Sequence, residues 1–152
     1  MQLTRMGEYA IRAMMHLSAQ PFGKKVPISE VSTRWDIPQS FLRKISAHLA
    51  KAQLIITQRG VGGGLSLARP AEEITLLDVM EAIEGPLSLN KCLINPRVCP
   101  RTNWCAVHLL WSEGQEKLKE TLRSRSLAEL AQLTGLAAGS WEEPPGTVLQ
   151  LP

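Results

Sequence analysis

Three cysteines, Cys92, Cys99 and Cys105, fall within fourteen residues of this 152-residue chain. Six residues separate the first two and five the last two. An odd number of cysteines in so short a span suits a ligand set better than a disulfide framework. Structural zinc sites usually begin with pairs about two to four residues apart. The wider intervals here make a loop able to wrap a larger object, such as an iron–sulfur core, whose usual ligands are thiolates, with histidine replacing one in some clusters. A zinc site and free redox-active thiols are the competing chemistries for the same loop.

A cluster needs a fourth ligand, and two candidates stand in the chain. His108 follows Cys105 by three residues, a spacing that puts both on one face at the head of a helix. Glu8, far away in sequence, reaches the loop only if the fold or a partner subunit brings it there. Lys91, Arg97 and Arg101 lie in the loop and favour thiolate over thiol. His16 and His48 sit inside apolar or basic helical patterns and read as structural.

The elements that must position this loop follow from periodicity. Leu3 to Ala19 has apolar residues at helical spacing and precedes Pro21. A short helix over about Ile28 to Trp35 leads to the turn Asp36-Ile37-Pro38, since Pro38 cannot continue it. A third helix, about Gln39 to Ala52, is expected to bury Phe41, Leu42, Ile45 and Leu49. Short helix, tight turn and longer helix form a helix-turn-helix. Two β-prone runs, Leu54–Gln58 and Leu65–Ala68, flank Arg59-Gly60-Val61-Gly62-Gly63-Gly64 and predict a hairpin, which in this position is a wing.

Thr75, with Asp78 three residues on, predicts a capped helix ending at Gly85. Residues 86–104 read as a loop broken by Pro86, Pro96 and Pro100. A long helix from about Cys105 to Arg123 carries Val107, Trp111, Leu118 and Leu122 at three- and four-residue steps, a seam for pairing with a second copy. Ser126 caps a last short helix through Leu133. The fold class is thus mainly α, a winged helix-turn-helix with a long C-terminal dimerisation helix. Residues 1–70 form the DNA-binding domain, 71–133 the connecting helix, cysteine loop and dimerisation helix, and 134–152, rich in Gly and Pro, a flexible tail.

Charge gives the front half a partner. Residues 1–70 hold ten lysines and arginines against three acids, while the other 82 residues hold seven against eleven. The overall +3 therefore hides a basic half suited to a polyanion, double-stranded DNA. The N-terminal end of the recognition helix offers Pro38, Gln39, Ser40, Arg43 and Lys44 to the major groove. Arg59 at the wing tip suits a narrow minor groove, with Gly60 allowing close backbone approach. Leu3 and Thr4 are expected to offer amide and hydroxyl donors to the phosphates.

No apolar run approaches the roughly 20 residues of a membrane span, and the N-terminus lacks the h-region of a leader. The expected location is the cytoplasm. The sequence shows no nucleophile–base pair, phosphate-binding loop or carboxylate dyad. Enzyme activity and a small-molecule substrate are therefore not expected.

The opening Met1-Gln2-Leu3-Thr4-Arg5-Met6-Gly7-Glu8-Tyr9-Ala10-Ile11-Arg12-Ala13 resembles that of the winged-helix iron–sulfur regulators. So do the Arg59–Gly64 wing, Ile74-Thr75-Leu76-Leu77-Asp78-Val79 and Ser126-Leu127-Ala128-Glu129-Leu130. The resemblance covers about residues 1–133 and implies a dimeric cytosolic repressor or dual regulator whose DNA affinity depends on its cluster. The signal would be redox state, nitric oxide or iron–sulfur status. In one branch three cysteines and a histidine hold a two-iron cluster, similar to Cys105-Ala106-Val107-His108 here. In the other, an acidic residue of the partner's first helix completes the set, where this chain has Glu8. A [2Fe–2S] cluster is favoured, with [4Fe–4S] as the alternative. The first cysteine interval is one residue longer than the family's. Arg43 stands where the first branch has an acid, which implies a different DNA site.

Overall fold

The computed structural model describes residues 3–135; the sequence beyond, including nearly all of the expected tail, lies outside the described residues. The chain runs through α1 (Arg5–Ser18), α2 (Ile28–Trp35), α3 (Gln39–Lys51), β1 (Ile55–Gln58), β2 (Gly64–Leu67) and α4 (Leu76–Glu84). It continues through α5 (Lys91–Ile94), α6 (Ala106–Arg123) and α7 (Leu127–Leu133).

The α2–α3 turn is built by Asp36, whose left-handed backbone (φ 50°, ψ 48°) ends α2. Aspartate is among the few non-glycine residues that enter this region readily. Ile37 is then buried, its amide donating to the Ser32 carbonyl at 3.0 Å and its carbonyl accepting from Ser32 Oγ at 2.7 Å. Pro38 stands at the N-cap of α3. Leu42, Ile45 and Leu49 bury one face of α3 almost completely, each contributing about 1.5–3 kcal/mol of apolar burial. Phe41 was expected beside them but is 37% exposed. One residue from Leu42, it is turned about 100° away and meets the edge of Tyr9, ring centroids 5.7 Å apart.

The wing strands pair antiparallel, Ile55 with Leu67 through Gln58 with Gly64. Val26 adds a third rung, exchanging 2.8 Å backbone hydrogen bonds with Leu65 in both directions. Gly64 must lack a side chain there, because a Cβ would collide with the Val26 carbonyl oxygen.

Residues on both sides of position 70 join one core. Ala71, Ile74, Val79 and Leu127 pack with Ala10, Met14, Leu42 and Ile45. α4 lies against α1 and α3, and α7 returns to α1. The expected Thr75–Asp78 capping box forms, the expected Ser126 cap proves to be a second box with Glu129, and the two caps meet in a Thr75–Ser126 bridge. The region expected to be a plain loop holds α5 and a 3₁₀ turn over Pro96–Val98. Pro96 opens that turn, a position where its missing N–H costs nothing.

His16 is buried (2% exposed), and its Nε2 lies 3.1 Å from Glu30 Oε1, joining α1 to α2. Burial lowers its pKa from the ordinary 6.5, and the Glu30 bond opposes that shift only in part. Between the lowered value and 6.5 the unfolded chain binds more protons than the folded one, so stability falls as pH drops. We expect the urea midpoint to be flat from about pH 8 to 7 and to decline below about 6.5, with His16→Gln removing part of that decline. An equal slope in the variant would show that another group causes it.

Candidate nucleic-acid interface and cysteine cavity

Pro38, Gln39, Ser40, Arg43 and Lys44 are all exposed at the N-terminal end of α3. Ser40, Arg43 and Lys44 share a face by their three- and four-residue spacing, opposite the buried Leu42–Ile45–Leu49 stripe. Arg59 and Gly60 are exposed at the wing tip. Gly60 and Gly62 take positive φ, 94° and 74°. A Cβ on Gly63 would strike the Gln58 carbonyl oxygen, so the tip holds its tight shape only with glycine.

Sequence reasoning passed over Arg12. Its guanidinium lies 5.8 Å from the Tyr9 ring centroid, and Tyr9 in turn meets Phe41 of α3. This stack sets a cation beside the recognition helix; its only sequence signal is the Tyr9–Arg12 spacing of three.

The other end of α1 departs from expectation. Thr4 Oγ1 accepts from the Gly7 amide as the N-cap. The Thr4 amide (3.2 Å) and hydroxyl both donate to Glu84 Oε1 at the end of α4. The Thr4 donors expected to serve a phosphate are therefore engaged within the chain. Leu3 is half-buried and packs with Leu77, Met80 and Leu87. The contact joins residues 80 apart in sequence, which no local pattern reveals.

Cys92, Cys99, Cys105 and His108 line one cavity of about 350 Å³, together with Thr102, Val107 and Trp111. Each element places its own residue at the cavity wall. Cys92 lies in α5, which packs on α6. Cys99 follows the 3₁₀ turn, its carbonyl accepting from Thr102 Oγ1 at 2.7 Å. Cys105 is the N-cap of α6, with His108 on its first turn. His108 Nδ1 lies 3.4 Å from Cys92 Sγ. All three thiols are free and half-buried. Among the described residues no three His, Cys, Asp or Glu side chains converge tightly enough for a single metal ion; these four stand around the walls of the cavity. Glu8 is exposed on α1 and does not line it.

The seam expected on α6 divides between two roles. Val107 and Trp111 border the cavity and are 57% and 41% exposed. Leu118 and Leu122 are half-buried against Leu77, Met80 and Leu87 of the same chain. Helical spacing marks an apolar face without saying which partner covers it. Leu109 and Leu110, each 68% exposed, add further uncovered apolar surface. Gln115, another residue passed over, is buried at the inner face, where Oε1 accepts from the Leu89 amide at 3.2 Å.

A helix-turn-helix, a glycine-shaped wing and a basic recognition face define a winged-helix DNA-binding regulator. Comparison with known proteins makes the class specific. Residues 3–133 match the model of the Rrf2 family, described as iron-dependent transcriptional regulators, and the chain belongs to that family. It is 32% identical over 130 residues to the HTH-type transcriptional regulator IscR of Sodalis glossinidius, covering 86% of this chain and 78% of that one. Identity and coverage are the same for IscR of Erwinia tasmaniensis. Among solved structures it is similar to CymR, the global cysteine regulator of B. subtilis (TM-score 0.73, 24% identity, 88% of this chain and 98% of that one). IscR of T. potens is similar as well (TM-score 0.68, 25% identity, 87% of each chain). These relatives are transcription regulators and not enzymes. No helix among the described residues is long and apolar enough to cross a membrane.

Proposed function

We propose that this regulator acts in the cytoplasm as a homodimer whose affinity for specific DNA sites is set by an iron–sulfur cluster on Cys92, Cys99, Cys105 and His108. The observation that carries this reading is the shared cavity. Three thiols and an imidazole, from residues up to sixteen apart, face one space larger than a single ion needs. The donor set fits a [2Fe–2S] cluster with one histidine, and the relatives named IscR support the same reading. When bound, such a cluster supplies a redox- and nitric-oxide-sensitive centre whose loss releases its four ligands.

The chain's own residues do the rest. Cys105 sits at the positive end of the α6 dipole, a place that suits a negatively charged group. Exposed Lys91, Arg97 and Arg101 ring the loop with positive charge. Val107 and Trp111 extend from the cavity onto the uncovered part of α6, so the surface offered to a second copy is continuous with the ligand cavity. Pro38, Gln39, Ser40, Arg43 and Lys44 read the major groove and Arg59 with Gly60 the minor groove. Residues 1–70 thus carry the DNA contacts, and 71–133 carry sensing and pairing.

The test is a visible spectrum with iron and sulfide content on anaerobically prepared protein. We expect brown wild type, an altered spectrum with faster cluster loss in His108→Ala, and a wild-type spectrum in Glu8→Ala. The reverse pattern in the two variants assigns the fourth position to Glu8 of the partner subunit. Colourless wild type, or zinc without sulfide, sinks the cluster reading.

A further inference from the structure

We propose that Glu84, helped by Glu81 one turn before it, is the positioning residue that couples the cysteine loop to the DNA-binding domain. The inference rests on the cluster reading above. The last turn of α4 holds two pieces of chain at once. Glu84 Oε1 accepts from the amide and hydroxyl of Thr4, the N-cap of α1. Glu81 Oε1 accepts from the Leu87 amide at 3.0 Å, at the root of the cysteine loop. Two residues on, the Leu89 amide is held by Gln115 of α6.

The loop also shares a cavity with the Glu84 contact. Ile94, two residues after Cys92, lines a cavity of about 230 Å³ together with Leu3, Met80, Glu84 and Leu87. Gly7 sits tightly beneath, since a Cβ there would come within 2.7 Å of both Glu84 Oε1 and Leu3 Cδ1. The start of α1, the end of α4 and the cluster-bearing α5 are thus packed around one small space. α1 in turn carries Tyr9 and Arg12, which stack toward Phe41 in the recognition helix. A shift of α5 on cluster binding or loss moves Ile94 and Leu87. Glu84 passes that displacement to the N-cap of α1, and α1 passes it to α3. The carboxylate also faces the positive end of the α1 dipole, which favours this docking.

The experiment compares DNA affinity of cluster-loaded and cluster-free protein for wild type, Glu84→Ala and Glu84→Gln, with iron and sulfide measured for each. The wild-type ratio is expected within the usual range of allosteric coupling, about 5- to 150-fold, and Glu84→Ala should reduce it to about twofold or less. Glu84→Gln retains an acceptor oxygen for Thr4 and should keep most of the ratio. Iron and sulfide per chain should be unchanged in both variants. Hydrogen exchange on the wild type gives a second readout, with protection of the Thr4 and Gly7 amides differing between loaded and cluster-free protein. A loaded Glu84→Ala protein that keeps the full ratio, or unchanged protection at Thr4 and Gly7, overturns the inference alone. A wild type that takes up no iron and sulfide overturns the cluster reading and this inference with it.

Discussion

Cys105→Ser should abolish the iron–sulfur chromophore while leaving the apo-protein as stable as the wild type, or slightly more so. Cys105 occupies the N-cap of the 18-residue helix α6 in extended geometry (φ −83°, ψ 111°) and makes no side-chain capping bond. Serine is among the best N-cap residues, and filling an empty cap contributes about 0.5–2 kcal/mol. Its hydroxyl is nevertheless a poor substitute for a soft thiolate as an iron ligand. The same substitution therefore acts in opposite directions on fold and cofactor. Anaerobic iron and sulfide analysis beside a thermal melt of metal-free protein separates the two. We expect near-complete loss of sulfide and a melting temperature equal to or a few degrees above wild type, since 1 kcal/mol shifts a domain of this size by roughly 2–8 °C. A Cys105→Ser protein that keeps its brown colour would falsify the ligand assignment. One that loses colour only by unfolding would show Cys105 to be a structural residue.

Arg59→Ala should weaken binding to the specific site by about 5- to 150-fold, the effect of losing one well-placed contact of about 1–3 kcal/mol. Arg59 is exposed at the wing tip, so the folded state should hardly notice. The glycines around it fix the tip's direction: positive φ at Gly60 and Gly62, with no room for a Cβ at Gly63. The slope of log affinity against log salt should become shallower by about one charge. Arg43→Ala should behave differently, relaxing preference at a single base pair because it projects from the face of α3 beside Ser40. Both effects are read from binding isotherms at several salt concentrations with specific and scrambled duplexes. If Arg59→Ala leaves affinity and slope unchanged, the wing lies off the DNA.

Most of the architecture was legible because the information is local. The Thr75–Asp78 box and the Ser126 cap are local signals and both formed. Asp36-Ile37-Pro38 announced a turn through proline's missing N–H, and the turn lies there. The three cysteines were legible as one group, and they do line one cavity, but α5 among them was not. Four residues of helix with no side-chain cap leave hardly any periodicity to detect. Phe41 was misplaced for a related reason. An apolar residue beside the main stripe suits a core or a ring stack equally well, and only the position of Tyr9 decides between them.

The cysteine trio, its spacing with His108, the basic front half and the order helix–turn–helix–wing belong to the sequence alone. They follow from residue type and from intervals shorter than about two helical turns, which backbone geometry converts directly into faces and caps. Tertiary structure decided what those faces meet. It set His108 against Cys92 across sixteen residues and turned Leu118 and Leu122 onto α4. It also bound Thr4 to Glu84 across eighty. Such contacts depend on how whole helices pack, and a carboxylate that docks a distant N-cap carries the same letter as one that faces water.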